Sequence, residues 1–321
     1  MKEKLYNPHL FLTLASLFWG FNAIAGRLAV DEISPMLIVT GRWLGVMIIL
    51  SIICRHQLSL GFQVFKSHYK WMVIMGLCGF TTFNSIYYIS AHHTVAINLG
   101  IVQSTMPAFI MIISMFWLKT IINFKQVAGL LVTFVGVSIV ISNGDLVSLL
   151  RLKLNNGDLL MIFACIFYAI YAVGLRKRPE INDILLMTIF SYIAFVGSLP
   201  GLIIEITNYS FFFPTVKGLI ILSVIIIFPS LLAQILFMKG VKIVGPSLSG
   251  LYTNLVPLFT SVLAIIVLDE DFHIYHLISL IVIFLGIYIF DRKKNIIDII
   301  LIFFKLILTL FYIMLTHLYK V

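Results

Sequence analysis

The chain has 321 residues, of which 61% are hydrophobic and 11% are charged. A soluble domain carries roughly 25% charged residues, so this chain has too few charges to cover a water-exposed surface. Its apolar runs recur about every 30 residues, and each is long enough to cross a hydrocarbon core of roughly 30 Å. A membrane β-barrel is excluded because its strands alternate polar and apolar residues over about 10 positions. The composition therefore predicts an all-α, polytopic membrane protein.

Ten transmembrane helices are predicted, joined by short loops. In chain order they lie at 10–30, 35–54, 71–91, 94–118, 124–142, 157–175, 183–206, 217–238, 245–268 and 273–291.

The basic residues favour one side of the predicted bundle. With the N-terminus in the cytoplasm, 15 of the 22 Lys and Arg residues fall on the inside and 3 on the outside. Short cytoplasmic loops carry an excess of Lys and Arg. The asymmetry predicts a multi-pass protein of the cell (plasma or inner) membrane with a cytoplasmic N-terminus. The net charge of +9 then reflects topology and lipid contact, and no nucleic-acid partner is expected.

The chain also resembles itself at offsets of 149 and 150 residues. At an offset of 150 the coinciding glycines and prolines are Gly100/Gly250, Pro107/Pro257 and Gly136/Gly286. We therefore predict one five-helix repeat at 1–150, a second at 151–294 and an extra hydrophobic helix at 295–321. Because five is an odd number, the second repeat must enter the membrane from the opposite side. Inverted repeats of this kind recur in secondary transporters.

The C-terminal segment leaves two alternatives open. Between Ile296 and Leu318 the polar residues recur in steps of three, four and seven, which places them on one helical stripe. This pattern favours a helix that lies in the membrane interface. The alternative is an eleventh span whose polar stripe packs against the bundle.

Several short motifs carry a resemblance to a known family. They are Trp19-Gly20-Phe21-Asn22, Arg42, Gly245-Pro246, Pro257, Asp269-Glu270 and Leu285-Gly286. In this order they resemble the drug/metabolite transporter superfamily in its EamA-type branch, over about residues 8–293. The resemblance implies export or exchange of small metabolites, often amino acids, by alternating access. One departure is Lys119-Thr120, which stands where the first repeat of the family has a Glu; its mate Glu270 is present.

Polar residues inside the spans are the candidate substrate-binding residues, because such residues are costly in lipid and face an interior or a watery cavity. Three pairs share repeat positions at an offset of 150: Asn84/Gln234, Gln103/Thr253 and Ser104/Asn254. A second group is Trp19, Asn22, Tyr168 and Tyr171, whose rings and amide suit a ligand. Arg42 completes the set as a cation for an anionic group of the substrate. The alternatives are hydrogen bonds between helices, aromatic packing, and snorkelling of Arg42 to the membrane interface.

Four residues are predicted to permit bending of the fourth and ninth spans. A proline within a helix removes one backbone hydrogen bond and favours a kink. The hinge or gating candidates are Gly100, Pro107, Gly250 and Pro257. Static packing is the alternative role.

These features together predict a secondary transporter for a small polar metabolite, with no catalytic residue, no cofactor and no metal. A homodimer is compatible with the sequence. The alternative functions are a non-transporting scaffold or channel, or a membrane-embedded transferase. His273 and His276 have metal-ligand spacing, but a loop with Asp271 as a helix cap is the preferred interpretation. The carboxylates lie near span ends, which favours exchange or facilitated diffusion, with Glu205 as the candidate proton acceptor.

Overall fold

The computed structural model describes residues 7–91, 93–153, 155–208, 210–268 and 271–291. These parts of the chain form helices and turns and contain no strand, which confirms the all-α prediction for them. In chain order the helices are α1 (Pro8–Leu28), α2 (Pro35–Ile53), α3 (Leu58–Gly76), α4 (Phe83–Ala91), α5 (Ala96–Gln103), α6 (Met106–Leu118), α7 (Phe124–Ile141), α8 (Asn156–Gly174), α9 (Asp183–Thr207), α10 (Val216–Ile225), α11 (Ala233–Val244), α12 (Pro246–Leu251), α13 (Leu255–Leu268) and α14 (Ile274–Phe290). The predicted helix at 295–321 lies outside the described residues.

Eight helical stretches of the described chain are long and apolar enough to cross a membrane. They are Pro8–Leu28, Pro35–Ile53, Asn98–Leu118, Phe124–Ile141, Asn156–Lys177, Asp183–Thr207, Val216–Val244 and Pro246–Leu268, and Ile274–Phe290 is a shorter apolar helix. The total of ten spans stays a prediction. We call the two ends of the bundle the Pro8 end and the Leu28 end, after the first and last residues of α1.

Five helices, α1, α7, α8, α9 and α10, begin where a polar side chain accepts from their first backbone N–H groups. The side chain of Asn7 accepts from the backbone nitrogen of His9 at 3.0 Å, and Pro8 follows at the first helical position. Asn123 and Gln126 form a reciprocal capping box at the start of α7, each bond being 3.0 Å long. The predicted spans that begin at these caps start within a few residues of the observed helices.

The chain is already helical before the third predicted span. The sequence predicts a helix from 71, whereas α3 begins at Leu58. The extra turns are amphipathic: Gly61 packs against Leu185 of α9, whereas Lys66 is exposed. The backbone at His68 departs from helical geometry, with φ −126° and ψ 22°. An apolar face broken by lysines lowers the mean hydropathy without preventing a helix, so these helical turns precede the long apolar run from which the span is predicted.

The helices pack in a pattern that recurs in the two halves. The first helix, α1, contacts α11 and α13, and α8 contacts α4 and α6. The pair α7 and α14 approaches closely through glycines. A Cβ atom at Gly286 would lie 2.7 Å from the carbonyl oxygen of Gly129, and one at Gly129 would lie 2.6 Å from that of Gly286. Small residues at crossings let backbones approach in this way.

Wider π-helical turns occur at matching places in the two halves. One covers Leu77–Thr82 between α3 and α4, and the other covers Ile226–Leu232 between α10 and α11. The stretch that contains α12 and α13 is also interrupted by a 3₁₀ turn at Tyr252–Asn254. Irregular turns inside helices are frequent at functional sites, and these lie near the centre of the bundle.

The loop between α1 and α2 is fixed to the start of α10. The carboxylate of Glu32 accepts hydrogen bonds from the hydroxyl of Thr215 and from Lys217, the latter at 3.0 Å. These two bonds lower the pKa of Glu32, which is at the surface and outside the helices. The backbone of Thr215 also donates to the carbonyl of Glu32 at 2.9 Å.

Candidate functional site

A cavity of about 470 Å³ lies at the centre of the helix bundle. Its walls come from both halves of the chain, including α1, α4, α5 and α7 from the first and α8, α11 and α13 from the second. Arg27 and Asn143 line it at the Leu28 end and are exposed. The cavity therefore runs from the middle of the bundle toward the Leu28 end.

Eight of the eleven predicted substrate-binding residues line this cavity. They are Trp19, Asn22, Arg42, Asn84, Gln103, Tyr168, Gln234 and Thr253. Six helices (α1, α2, α4, α5, α8 and α11) and the 3₁₀ turn bring these side chains together from positions far apart in the sequence. Their role in binding a substrate stays a prediction.

The other three predicted residues lie away from the cavity wall. The hydroxyl of Ser104 donates to the carbonyl of Ile101 at 2.6 Å, so it is satisfied within its own helix. Tyr171 is fully buried, with its ring 5.1 Å from that of Phe80. Asn254 donates to the hydroxyl of Thr133 on α7 at 3.1 Å. Packing and hydrogen bonding between helices, the alternatives considered for these residues, describe what the structure shows for them.

The four hinge candidates all lie near breaks in the helices. Pro107 is the second residue of α6, directly after the break that separates α5 from α6. Pro257 follows the 3₁₀ turn and lines the cavity, as does Gly100. Gly250 packs against Ile110, whose Cδ1 would be 2.5 Å from an added Cβ. Bending at these places stays a prediction.

Arg42 brings a cation to the cavity from α2. It is buried, at 3% exposure, and its Nε donates to the hydroxyl of Ser230 at 2.7 Å. Its guanidinium carbon lies 5.1 Å from the centre of the Trp43 ring. Ser230 itself donates to the carbonyl of Ile225 at 2.6 Å within the second π-helical turn. This turn thus positions the arginine, which is a link that the sequence did not reveal.

Two uncharged residues of the cavity wall each carry a buried polar atom with no hydrogen-bond partner among the described residues. These atoms are Oε1 of Gln234 and the hydroxyl of Tyr168, whose side chains are 5% and 4% exposed. An unsatisfied buried polar group costs roughly 1–3 kcal/mol. Polar groups left in this condition at a cavity are suited to bind a ligand.

Aromatic rings form one side of the cavity. The rings of Trp19 and Tyr168 meet edge to face, with centroids 6.1 Å apart, and Phe83 lies 5.1 Å from Tyr168. Trp19 also packs on Phe237, at 5.3 Å. Edge-to-face contacts hold such rings in fixed positions, so this wall is preorganised.

Several lining residues were missed by the sequence reasoning. Thr260 is seven residues after Thr253 and Phe83 is next to Asn84, and both line the cavity. Tyr87, one helical turn after Phe83, does so too. The signal that could have identified them is helical spacing, because residues three, four or seven apart share one face.

At the Pro8 end, α1 contacts the 3₁₀ turn and the residue that follows α14. The ring of His9 is buried, with Nδ1 2.6 Å from the hydroxyl of Tyr252. Its Nε2 lies 3.5 Å from a carboxylate oxygen of Asp291. The hydroxyl of Ser16 donates to the carbonyl of Tyr252 at 2.7 Å.

The buried carboxylates serve as structural acceptors. Glu205, the candidate proton acceptor, accepts from the hydroxyl of Ser34 at 2.8 Å and from the backbone nitrogen of Met36 at 3.1 Å. It therefore caps the start of α2. Asp158 accepts from Thr94 and from Asn98. Among the described residues that line the cavity there is no Asp or Glu.

The prediction of Asp271 as a helix cap is wrong. The residue that precedes α14 is His273, whose backbone nitrogen donates to Nδ1 of His276 at 3.0 Å. The ring of His276, in the first turn of α14, therefore accepts from the backbone N–H of the capping residue. Asp271 lies farther upstream in the chain.

Comparison with known proteins places this architecture in a family. The model of the EamA-like transporter family matches the chain twice, at residues 7–142 and 155–290. The chain belongs to the EamA-like transporter family. This confirms the resemblance to the drug/metabolite transporter superfamily, and the EamA-like chain is accordingly a multi-pass membrane protein. Its two matches correspond to the two halves that share repeat positions.

Relatives of this EamA-like protein carry transporter names. The uncharacterized transporter YyaM of Bacillus subtilis is 23% identical over 88% of this chain and 93% of its own length. The uncharacterized transporter YetK of the same organism is 25% identical over 91% and 89%. An uncharacterized transporter of Archaeoglobus fulgidus is 25% identical over 89% and 98%. One crystal structure aligns with a TM-score of 0.73 at 15% identity, over 89% of this chain and 97% of that one, which shows a shared fold.

Proposed function

We propose that the protein is a secondary transporter that carries a small polar metabolite across the cell membrane by alternating access. The chain would cross the membrane ten times as two inverted five-helix repeats, with its N-terminus in the cytoplasm. The Leu28 end is then outside and the Pro8 end is inside. The conformation described above is open to the outside and closed to the cytoplasm.

The observation that carries this proposal is the cavity. Among the described residues, its lining extends from the centre of the bundle to the Leu28 end and not to the Pro8 end, and both halves of the chain contribute to it. A channel would need a path through both ends, whereas a carrier exposes its site to one side at a time. Secondary transporters place their substrate site near the midplane between two repeats. The transporter names of the relatives point in the same direction.

Two further features support the inverted repeat. The π-helical turns recur at corresponding positions of the two halves, at Leu77–Thr82 and Ile226–Leu232. The contacts of α1 with α11 and α13 are matched by those of α8 with α4 and α6. An inverted pair of halves can exchange these two sets of contacts, which opens one end while closing the other. Gly100, Pro107, Gly250 and Pro257 are the proposed bending points for that exchange.

The chemistry of the cavity supports an amino acid or a related compound as the substrate. Arg42 supplies a cation that suits a carboxylate. Oε1 of Gln234 is a hydrogen-bond acceptor without a partner, so it suits an amino or amide group of the substrate. The hydroxyl of Tyr168 can donate a hydrogen bond, so it suits a substrate oxygen. The volume of about 470 Å³ lies in the ordinary range for small-molecule sites, roughly 300–1,000 Å³.

The coupling that we propose is exchange or facilitated diffusion. A proton-driven carrier commonly uses a carboxyl group in the membrane-embedded site. The described lining residues include no carboxylate, and Glu205 is occupied as a helix cap. The direction of net flux is then set by the substrate gradients.

Counterflow in proteoliposomes tests the proposal. Vesicles that contain the purified protein are loaded with one unlabelled compound from a panel of amino acids, nucleoside-type metabolites and sugars, and uptake of the labelled compound is followed. We expect counterflow of at least one amino acid or related compound, lost in the double variant Asn84→Leu/Gln234→Leu. The matched control is Gln63→Leu, which changes an exposed amide on α3. Absence of counterflow for the whole panel, or equal loss in the control, contradicts the proposal.

A further inference from the structure

We propose that His9 and Asp291 form a proton-dependent latch that holds the Pro8 end closed. The inference rests on the proposed alternating-access function, in which this end faces the cytoplasm. It assigns a regulatory role to two residues that do not line the cavity. Acidification on the cytoplasmic side is expected to keep the carrier closed toward the cytoplasm.

The latch joins two ends of helices that are far apart in the sequence. His9 is the second residue of α1, and Asp291 directly follows α14. The ring is 3% exposed, and its Nε2 lies 3.5 Å from Oδ2 of Asp291. On the other side of the ring, Nδ1 lies 2.6 Å from the hydroxyl of Tyr252. Both ring nitrogens thus face polar groups on neighbouring elements.

The open end of the bundle indicates which contact would break. At the offset of 149 residues that relates the first spans of the two halves, His9 corresponds to Asp158, and at the offset of 150 that relates α7 to α14, Asp291 corresponds to Ile141. At the open Leu28 end no hydrogen bond or ion pair among the described residues joins Asp158 to the end of α7: Asp158 accepts from Asn98 of α5 at 2.8 Å, whereas Ile141 is apolar and lines the cavity. By the same rule, opening the Pro8 end would separate His9 from Asp291.

The other contact of His9 would survive that opening. Asp158 stays bonded to Asn98 of α5 although its end is open. Helix α5 corresponds in the repeat to α12, and Tyr252 follows α12 directly. The bond between His9 and Tyr252 is therefore expected to move with α1, which leaves the contact with Asp291 as the one that opens.

Charge makes this contact sensitive to protons. A charged imidazolium forms an ion pair with the carboxylate of Asp291, and a neutral ring has no charge for it to attract. Histidine is the side chain whose charge ordinarily changes near neutral pH. A proton that strengthens a contact present only in the closed state favours the closed state.

Other ionisable groups lie on the elements packed against α1, so the test must separate their effects. Near the Pro8 end, and within the described residues, they are Tyr252 on the 3₁₀ turn, Asp291 and Tyr288 on and after α14, and Lys239 and Lys242 on α11; Lys217 of α10 and Tyr275 and His276 of α14 lie at the opposite end. Helix α13 carries none. The basic run 292–294 follows in sequence, outside the described residues. Of these groups, Asp291 is the carboxylate in contact with the ring.

Two introduced cysteines report the two conformations. Thr260 lines the open cavity, and its counterpart at an offset of 150, Ile110, is fully buried at the closed end. In Thr260→Cys the thiol is reachable when the Leu28 end is open. In Ile110→Cys it becomes reachable when the Pro8 end opens. The three native cysteines are buried, and their labelling in the parent chain is subtracted.

The purified full-length protein is labelled in nanodiscs with a small thiol reagent at about pH 6 and about pH 8. We expect the labelling ratio of Ile110→Cys to Thr260→Cys to rise about fivefold with the pH, the effect of one modest ion pair. In the Asp291→Asn background the ratio should change by less than about twofold. Because the thiol chemistry is the same in both backgrounds, its own pH dependence cancels in this comparison.

Two further variants test whether a change in the labelling ratio comes from the ion pair or from a loss of folded structure. His9→Lys keeps a positive charge at both pH values, so it should hold the ratio low throughout. Tyr252→Phe removes the hydroxyl but leaves the ion pair, and it should retain the pH dependence of the parent. An unchanged pH dependence in Asp291→Asn, or a rise of the ratio in His9→Lys as large as in the parent, overturns the latch.

Failure of the latch and failure of the proposed function give different results. If counterflow occurs while the labelling ratio is independent of pH, the latch is wrong and the transport function stands. If no compound shows counterflow and Ile110→Cys is labelled at neither pH, alternating access is wrong and the latch falls with it.

Discussion

We predict that Gln234 lowers the stability of the protein but is needed for transport, and a single substitution tests both effects. Its Oε1 is buried without a hydrogen bond among the described residues, a condition that costs roughly 1–3 kcal/mol. Leucine has a similar volume and no polar atom. We therefore expect Gln234→Leu to raise the free energy of unfolding by about 1 kcal/mol, while abolishing transport. Functional sites commonly sacrifice stability in this manner.

The control for this substitution has the opposite expected sign. The hydroxyl of Ser34 is fully buried and donates to the carboxylate of Glu205 at 2.8 Å, away from the cavity lining. Hydrogen bonds to charged groups contribute about 1.5–3 kcal/mol. Ser34→Ala should therefore lower the free energy of unfolding by about 2 kcal/mol and leave transport per folded molecule close to that of the parent.

Thermal unfolding in detergent and counterflow in proteoliposomes measure the two quantities separately. A change of 1 kcal/mol corresponds to a shift in the unfolding midpoint of about 2 °C for a chain of this size. We expect a small rise with no transport for Gln234→Leu, and a fall with transport for Ser34→Ala. A fall in midpoint for both variants, or retained counterflow in Gln234→Leu, would refute the assignment of Gln234 to the substrate site.

Three other predictions concern separate parts of the molecule. Arg42→Lys should raise the half-saturating substrate concentration in counterflow by about tenfold, because an ammonium cannot reproduce the two-pronged contact of a guanidinium with a carboxylate. Glu32→Gln should lower the unfolding midpoint at neutral pH, because the pKa of Glu32 is lowered in the folded state and the charged carboxylate therefore stabilises the fold. The difference in midpoint between the variant and the parent should be present above the ordinary carboxyl pKa of about 4.5. It should disappear as the pH falls through the lowered pKa. Gly286→Val should destabilise the crossing of α7 and α14 by more than about 2 kcal/mol, because its Cβ would lie 2.7 Å from the carbonyl oxygen of Gly129. The control is Gly26→Ala, whose added Cβ would have no atom within 4 Å. In the same melting assay this control should be neutral or slightly stabilising.

The positions of most helices follow from local rules that the sequence displays. Asn123 and Gln126 mark the start of α7, and Asn155 with Asp158 marks that of α8. Such caps act within one turn and need no knowledge of the rest of the fold. The helical turns between Leu58 and the break at His68 were not predicted, because their lysines interrupt the apolar run. Amphipathic helices reveal themselves by periodicity rather than by mean hydropathy.

Which face of a helix meets the cavity could not be predicted at the same precision. Thr253 lines the cavity, and the next residue, Asn254, turns to bond with Thr133 on α7. Tyr168 lines it too, while Tyr171 on the same helix is buried against Phe80. Each step along a helix rotates the side chain by about 100°. The choice between these neighbours depends on helix rotation, which is fixed by contacts distant in sequence.

The departures from the repeat are as informative as the repeat itself. Arg42 corresponds at an offset of 149 to Ser191, whose hydroxyl donates within α9 at 2.6 Å. Its partner Ser230 corresponds to Thr81, which donates instead to the carbonyl of Ala194 at 3.3 Å. The scaffold thus offers two equivalent places for a cation near its centre, and the sequence fills one of them. In a site with true two-fold symmetry, a substrate could bind equally well in either of two orientations. A single arginine removes that equivalence, so the anionic end of the proposed substrate would face α2 in both conformations while the halves exchange their contacts around it.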